Sequence, residues 1–183
     1  AKIPGTGDQV VVVGNHRDAW TPGAVDPNSG TAAMLEAARG LGAALKAGWK
    51  PRRTVLICSW DAEEYGLVGS TEWAEDNMAM LQSQAVAYLN MDVAVTGPNF
   101  GSGGTPSLRD AVREAISMVP EPRKGGTVGT VWEQRAKAAW AAETPVNLDG
   151  KDPSFEHQLT RLGSGSDYTA FIDHLGIPSV DGG

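Results

Sequence analysis

The side chains whose types and settings could do chemistry are His16, Asp26, Glu63, Glu64 and Asp92. Imidazole and carboxylate are donors that suit zinc, with three or four protein atoms per ion. His16, Asp26, Glu64 and Asp92 offer one nitrogen and three carboxylates, too many acids for a single catalytic zinc and enough for two. Two cations held close together need a carboxylate between them to offset their repulsion. Asp26, fixed in a turn ahead of Pro27, is the choice for that bridge. Ions so placed bring the pKa of a water toward neutrality, and the attack then needs a general base beside the ligands. Glu63, next to Glu64, takes that role, and Asp18 can accept the second ring N–H of His16 and fix its ligating tautomer. Each residue also has a plainer reading: a solvated acidic loop for Asp61, Glu63 and Glu64, a satisfied strand-end histidine for His16, a turn cap for Asp92. Their joint placement is much harder to produce by chance.

That placement follows from the elements that must carry them. Thr54 to Ser70, TVLICSWDAEEYGLVGS, is an apolar run breaking into acids and glycines, the pattern of a buried strand opening into a loop. Val10 to Gly14 is a second apolar run, with His16 at its exit, and Ala85 to Asp92 a third, ending in an acid. Ligands in an open α/β sheet gather at such carboxyl ends. Helical patterns fill the gaps: Thr31 to Leu45, with Asn28 or Ser29 as N-cap, then Ser70 to Gln82, Ser107 to Met118 and Val131 to Glu143. A short helix over Tyr168 to Leu175, ended by Gly176, leads to a last strand over 177–180; Thr96 to Thr105 reads as glycine-rich loop and Asn147 to Glu156 as polar and irregular. Strand and helix alternating in this way predict an α/β three-layer sandwich, a mostly parallel mixed sheet with helices on both faces.

The 183 residues set a prior of one domain, 1–183, with room for one substantial core. Twenty-two acids against 15 bases, net −7, and no basic run argue against a nucleic-acid surface. The lone Cys58 lies in a strand pattern and reads as a small buried hydrophobe, and one cysteine fixes no compartment. No apolar run is long enough to span a bilayer, and AKIPGTGDQ lacks a signal pattern. Starting without methionine and stopping on SVDGG, the chain reads as a piece of a longer protein, truncated at both ends. The six tryptophans read as core or rim packing, since no basic residues interleave with them.

NHRDAW, GAVDPNSG, RRTVLICSWDAEEYGLVGSTEWAE, YLNMD and RLGSGSDY closely resemble the peptidase domain of the glutamate carboxypeptidase II and transferrin receptor-like group, within the co-catalytic zinc peptidase superfamily. The likeness is weakest between Pro98 and Arg161. It implies a di-zinc exopeptidase: His16 and Asp92 on one zinc, Glu64 on the other, Asp26 bridging, Glu63 as base and Asp18 orienting His16. It implies a substrate-cleft loop at Ser164, Gly165 and Ser166, which could equally be an ordinary glycine-rich turn. Glu72 and Glu75 match positions that help bind a structural Ca2+ in that group, and Asp26-Pro27 sits where the superfamily often has a cis peptide. An extracellular or periplasmic setting, a peptide substrate and a homodimeric parent are implied in the same way.

The departures limit what carries over. The group's fifth metal ligand, a histidine, would fall beyond Gly183, so the second zinc keeps only Glu64 and the bridge, and this segment alone is expected to show little turnover. His157, in a polar stretch, and His174, at a helix end, do not stand in for it. An arginine of the group is replaced by small residues around Gly101-Ser102-Gly103, so a preference for glutamate does not follow. Two other readings stand beside the carboxypeptidase: a zinc aminopeptidase, and a non-catalytic binding domain like the transferrin receptor, which the surviving ligand set disfavours.

Overall fold

The computed structural model describes residues 1–143 and 160–183. A six-stranded sheet forms its middle: β1 (Lys2–Ile3), β2 (Val10–His16), β3 (Thr54–Trp60), β4 (Ala85–Asn90), β5 (Ser102–Gly104) and β6 (Ser179–Gly182), in spatial order β1-β3-β2-β4-β6-β5. The four inner strands are parallel and the two edge strands antiparallel. The inner strands are apolar runs rather than alternations because a parallel sheet is covered on both faces.

The helices are α1 (Asn28–Lys46), α2 (Val68–Asp76), α3 (Met78–Gln84), α4 (Arg109–Met118) and α5 (Val128–Glu143), with a 3-10 turn at Pro106–Leu108 and a π-helical turn at Ala170–His174. Parallel crossovers are right-handed, and the chain moves from β2 to β3 in one direction and back across β2 to β4 in the other. Hence α1 and the α2–α3 pair cover opposite faces. The main core lies on the α2 side, where Tyr88 stacks on Phe171 at 3.9 Å and Trp60 packs between Trp73 and Phe171. Gly14 is required beneath this cluster, since a Cβ there would run into the Trp60 indole and the Tyr88 hydroxyl. A satellite cluster of Ile116, Trp132 and Phe100 joins α4, α5 and the loop before β5. Trp60, Trp73 and Trp132 are therefore packing residues, whereas Trp20 is 64 % exposed.

Four local expectations are corrected. Neither Asn28 nor Ser29 caps α1: Pro27 holds the N-cap position, the Asn28 amide donates back to Pro22 and the Ser29 hydroxyl to Val25, so the preceding turn consumes both side chains. The single helix over 70–82 is two, broken at Asn77, whose side chain donates to the Trp73 carbonyl and ends the first. That pair starts at Val68, two residues ahead of the expected Ser70. Inside the supposed loop 96–105, Ser102–Gly104 pairs with β6, and Lys2–Ile3 pairs with β3. Both are edge strands too short, and in one case too rich in glycine, to show a strand pattern. The polar stretch 147–156 and His157 lie outside the described residues.

Candidate metal centre

Three parallel strands end side by side, β2 in the middle with β3 and β4 flanking it, and the candidate residues stand at those ends. His16 closes β2 and is 1 % exposed. Asn15 beside it donates to the Pro27 carbonyl (3.1 Å) and to the Thr31 hydroxyl (3.0 Å), which in turn donates to the His16 carbonyl (2.8 Å). This lashing fixes the turn that carries Asp26 against the end of β2. The Asp26-Pro27 bond is cis. The helix that follows comes so near β4 that a Cβ on Gly30 would overlap the Met91 and Asp92 carbonyl oxygens, so only glycine fits.

The loop after β3 is equally constrained. Ala62 (φ 56°) and Leu67 (φ 60°) take left-handed backbone conformations on either side of Glu63 and Glu64. Non-glycine residues there cost about 1–3 kcal/mol each, and such strain gathers at functional sites. The Asp18 carboxylate accepts the Glu63 N–H (3.1 Å) and the Glu64 N–H (3.2 Å), tying the loop to the segment after His16. Arg17 clamps the same junction from outside, donating to Ser59 O and Asp61.

Around the imidazole the carboxylates converge. His16 Nε2 lies 2.9 Å from Asp92 Oδ1, 3.4 Å from Asp26 Oδ1 and 3.9 Å from Glu63 Oε2. Nδ1 is 3.0 Å from the Asp18 backbone carbonyl and 3.5 Å from its carboxylate. A carbonyl can only accept, so Nδ1 carries a proton, and in the neutral ring Nε2 then presents a lone pair to three acids. Lone pair against carboxylate is repulsive unless a cation, proton or metal, sits between. The ligand atoms of His16, Glu63 and Asp92 all lie within 4.8 Å of one another. One imidazole and clustered carboxylates, with the second ring nitrogen already committed, is a donor set that fits a divalent cation.

The protonation energetics record the same excess of negative charge. Burial alone would lower the His16 pKa, but the Asp92 hydrogen bond and charge, aided by Glu63 and Asp167, push it up to about 9. Burial raises Glu63 to about 7 against the pull of His16, with Asp167, Asp92 and Glu64 adding to the rise. Burial, then the Asp92 charge, raises Asp26. Burial would raise Asp92 as well, but hydrogen bonds with His16 and Ser166 hold it below the usual carboxylate range.

The expected residues thus occupy distinct positions. His16, Asp26, Glu63 and Asp92 meet at one ring nitrogen. Glu64 does not join them; its Oε1 accepts the Trp20 N–H at 3.3 Å. Asp18 reaches His16 mainly through its carbonyl. In the 164–166 loop, Ser164 and Gly165 are exposed, Gly165 has φ 127°, and Ser166 is buried and accepts the Asn90 amide. Glu72 and Glu75 are exposed on α2, where Glu75 lies 3.4 Å from His174, an exposed partner rather than a member of the site. Cys58 is partly buried, and burial raises its thiol to about 11, so it is no nucleophile.

Two residues escaped the sequence reading. Asp167 is fully buried with neither carboxylate oxygen hydrogen-bonded, and burial pushes it up to about 6. Asn90 accepts the Tyr88 hydroxyl and donates to Ser166 and Asp181, joining β4, β6 and the 164–166 loop beneath Asp92. The signal was present in RLGSGSDY and YLNMD, as polar residues inside or beside apolar runs, and was masked by the turn-like glycines and by the acid that follows.

The family model described as "Peptidase family M28" matches residues 1–182. The chain is 48 % identical over 175 residues to "Probable glutamate carboxypeptidase LAMP1" of Arabidopsis thaliana, covering 95 % of this chain and 23 % of that protein. It is 42 % identical over 177 residues to "Aminopeptidase NAALADL1" of Mus musculus, covering 95 % of this chain and 22 % of that one. The chain therefore spans less than a quarter of the length of these relatives. Among solved structures, BSAP, described as a zinc aminopeptidase from Bacillus subtilis, superposes with a TM-score of 0.52 at 20 % identity, over 95 % of this chain and 35 % of that one. A glutaminyl cyclase of an Acidobacteriales bacterium superposes at 0.59 and 19 % identity, over 98 % and 55 %. These likenesses establish the fold.

Proposed function

The chain belongs to peptidase family M28, and from that premise we propose that it is the metal-binding catalytic part of a longer metallo-exopeptidase. The observation that carries the reading is the His16 ring: Nδ1 held by the Asp18 carbonyl and Nε2 turned on Asp92, Asp26 and Glu63. His16 and Asp92 would hold one zinc, with Asp26 shared toward a second that Glu64 would serve. When bound, the metal supplies Lewis acidity toward water and the scissile carbonyl. Glu63 would take the water's proton and deliver it to the leaving amine. Its pKa of about 7 suits a group that must accept and release a proton near neutrality. Asp18 holds the Glu63 and Glu64 amides and orients His16, and Ser166, itself held by the Asn90 amide, bonds Asp92.

Relatives named for carboxypeptidase and for aminopeptidase activity both support cleavage of a peptide near a chain end. Of the two we favour a carboxypeptidase. The extracellular or periplasmic setting, the homodimeric parent and the calcium at Glu72 and Glu75 belong to the same proposal and rest on the resemblance. No helix among the described residues is long and apolar enough to cross a membrane. Elemental analysis before and after chelation, followed by assays of the full-length protein on N-blocked and C-blocked dipeptides, tests the reading. Zinc with selective loss of activity on C-blocked substrates is expected; a protein that retains no divalent metal and cleaves neither substrate refutes it.

A further inference from the structure

Asp167 is fully buried, yet neither of its carboxylate oxygens has a hydrogen-bond partner among the described residues. No step of the proposed hydrolysis uses it, and a buried, unpartnered carboxylate is among the costliest groups a fold can keep. Its neighbours in sequence leave it no way out to water. Ser166, 3 % exposed, accepts the Asn90 amide at 3.0 Å and bonds Asp92, while Tyr168 belongs to the main core. The Thr169 N–H closes the turn onto the Ser166 carbonyl at 3.0 Å. The buried Ser70 hydroxyl eases the charge, but its proton goes to the Leu67 carbonyl at 3.3 Å.

The charge acts on the strand-end pocket. Burial raises the Asp167 carboxyl, Ser70 and the His16 charge draw it down, and Asp92 and Asp18 raise it again. His16 is thus the only positive charge among its strongest influences. In return, Asp167 helps hold the proton on His16 and is the foremost of the carboxylates that oppose ionisation of Glu63. It does this from behind the ligands. Asp18, Asp26, Glu63 and Asp92 each come within 3.9 Å of an imidazole nitrogen, and Asp167 does not. Nor does it join His16, Glu63 and Asp92, whose ligand atoms gather within 4.8 Å. A divalent cation at Nε2 puts two positive charges where the ring proton puts one. Coulomb attraction falls only as the inverse of distance, and a pocket closed to water screens it weakly, so a carboxylate behind the ligands still acts on the ion.

We infer that Asp167 is an outer counter-charge of the metal centre, a carboxylate that strengthens the hold of His16 and Asp92 on a divalent cation without touching it. The inference rests on the metal-centre reading and deepens it. It assigns opposite effects to one group. With the cation bound, the charge is attracted; without it, the same charge is buried, unpartnered and set among Asp92 and Asp18, and it lowers stability. A residue kept for packing or for a structural hydrogen bond acts in one direction in both states.

The test compares the full-length protein with its Asp167→Asn and Asp167→Leu forms, both of which keep the branching of the side chain and lose its charge. Zinc affinity is read by chelator competition, the absorption spectrum of Co2+ in place of Zn2+ reports the ligand set, and thermal unfolding is followed without metal. Both variants should bind zinc about 10–100-fold more weakly, the range for partners that lie beyond the ligands themselves. Both should keep the Co2+ band positions of the unaltered protein and unfold, metal-free, at an equal or higher temperature. Asp167→Leu, which leaves no polar atom unpaired, decides where the Asn amide disturbs folding. Zinc affinity within a few-fold of the unaltered protein, displaced Co2+ bands, a lower metal-free melting temperature, or failure of both variants to fold overturns the inference. The two readings fail separately: an unaltered protein that binds no zinc removes the metal centre, whereas zinc held equally by all three forms removes only the role of Asp167.

Discussion

Replacing Asp92 by Asn keeps the shape of the side chain and removes the charge that holds the metal centre together. Asp92 Oδ1 is 2.9 Å from His16 Nε2, and its hydrogen bond and charge are the largest influences raising the imidazole to about 9 from 6.5. With a neutral amide there, burial is opposed only by the Glu63 and Asp167 charges, and the His16 pKa should fall from about 9 toward 6.5. At about 1.4 kcal/mol per unit, the proton on His16 loses roughly 3 kcal/mol of stabilisation. NMR titration of the imidazole in metal-free protein reads this directly. The same substitution deletes a ligand, and since even outer partners of metal ligands are worth about 10–100-fold in affinity, zinc binding should weaken by about 100-fold or more in a chelator competition. A variant whose His16 still titrates near 9, or whose zinc affinity stays within a few-fold, would show that this pocket is not the metal centre.

Three further outcomes follow from the same geometry. Glu63→Gln separates base from ligand: as the base it should keep zinc affinity and lose about 10²–10⁴-fold in turnover of the full-length enzyme, whereas a fall in affinity with equal loss would make Glu63 a ligand. Gly30→Ala forces a methyl into the Met91 and Asp92 carbonyls, so it should destabilise by about 1–3 kcal/mol or more and weaken zinc binding, read by denaturant unfolding and titration; an unchanged midpoint would mean the helix is not pressed on that strand. In metal-free protein, His16 at about 9 folded against 6.5 unfolded contributes stability that is complete below about 6.5 and lost as pH rises through 9, and Glu63 at about 7 against 4.5 adds loss in the same direction from 4.5 to 7. Melting temperature should therefore fall as pH rises from 6 to 9, and saturating zinc, which binds deprotonated ligands, should reverse the slope; a rising metal-free curve would contradict the assignment.

The central strands were legible because a parallel sheet covered on both faces forces apolar runs, and Val10–Val13, Val55–Cys58 and Val86–Leu89 are such runs, of strand length and rich in β-branched residues. The site residues were legible for a related reason: an acid or imidazole directly after such a run must stand at the strand end. What was lost depended on particular pairings that residue types and periodicity do not reveal. Lys2–Ile3 and Ser102–Gly104 become strands only through β3 and β6, and the α1 cap disappears because Pro22 and Val25 engage Asn28 and Ser29 first. The orientation of Glu64 toward the Trp20 amide, and of Glu63 toward His16, is a property of the left-handed turns at Ala62 and Leu67, where neither residue is a glycine that would have announced them.

Asp167 shows why the cluster is more than a set of acids that happen to be neighbours. A buried carboxylate with both oxygens unpartnered is costly, and a stable fold normally removes it or gives it hydrogen bonds. Here it stays fully buried and adds its charge to a pocket that already holds Asp26, Glu63 and Asp92 around one imidazole. Asp92, Glu63 and Asp167 make the proton on His16 harder to lose, and burial makes Asp26, Glu63 and Asp167 harder to ionise, so without a cation the cluster works against the fold. With a divalent cation at Nε2 the same charges become attraction, and local rules broken together at one strand-end pocket mark where function outweighs stability. The sign of the response to metal is accordingly set by the carboxylates that surround the ligands as much as by the ligands themselves.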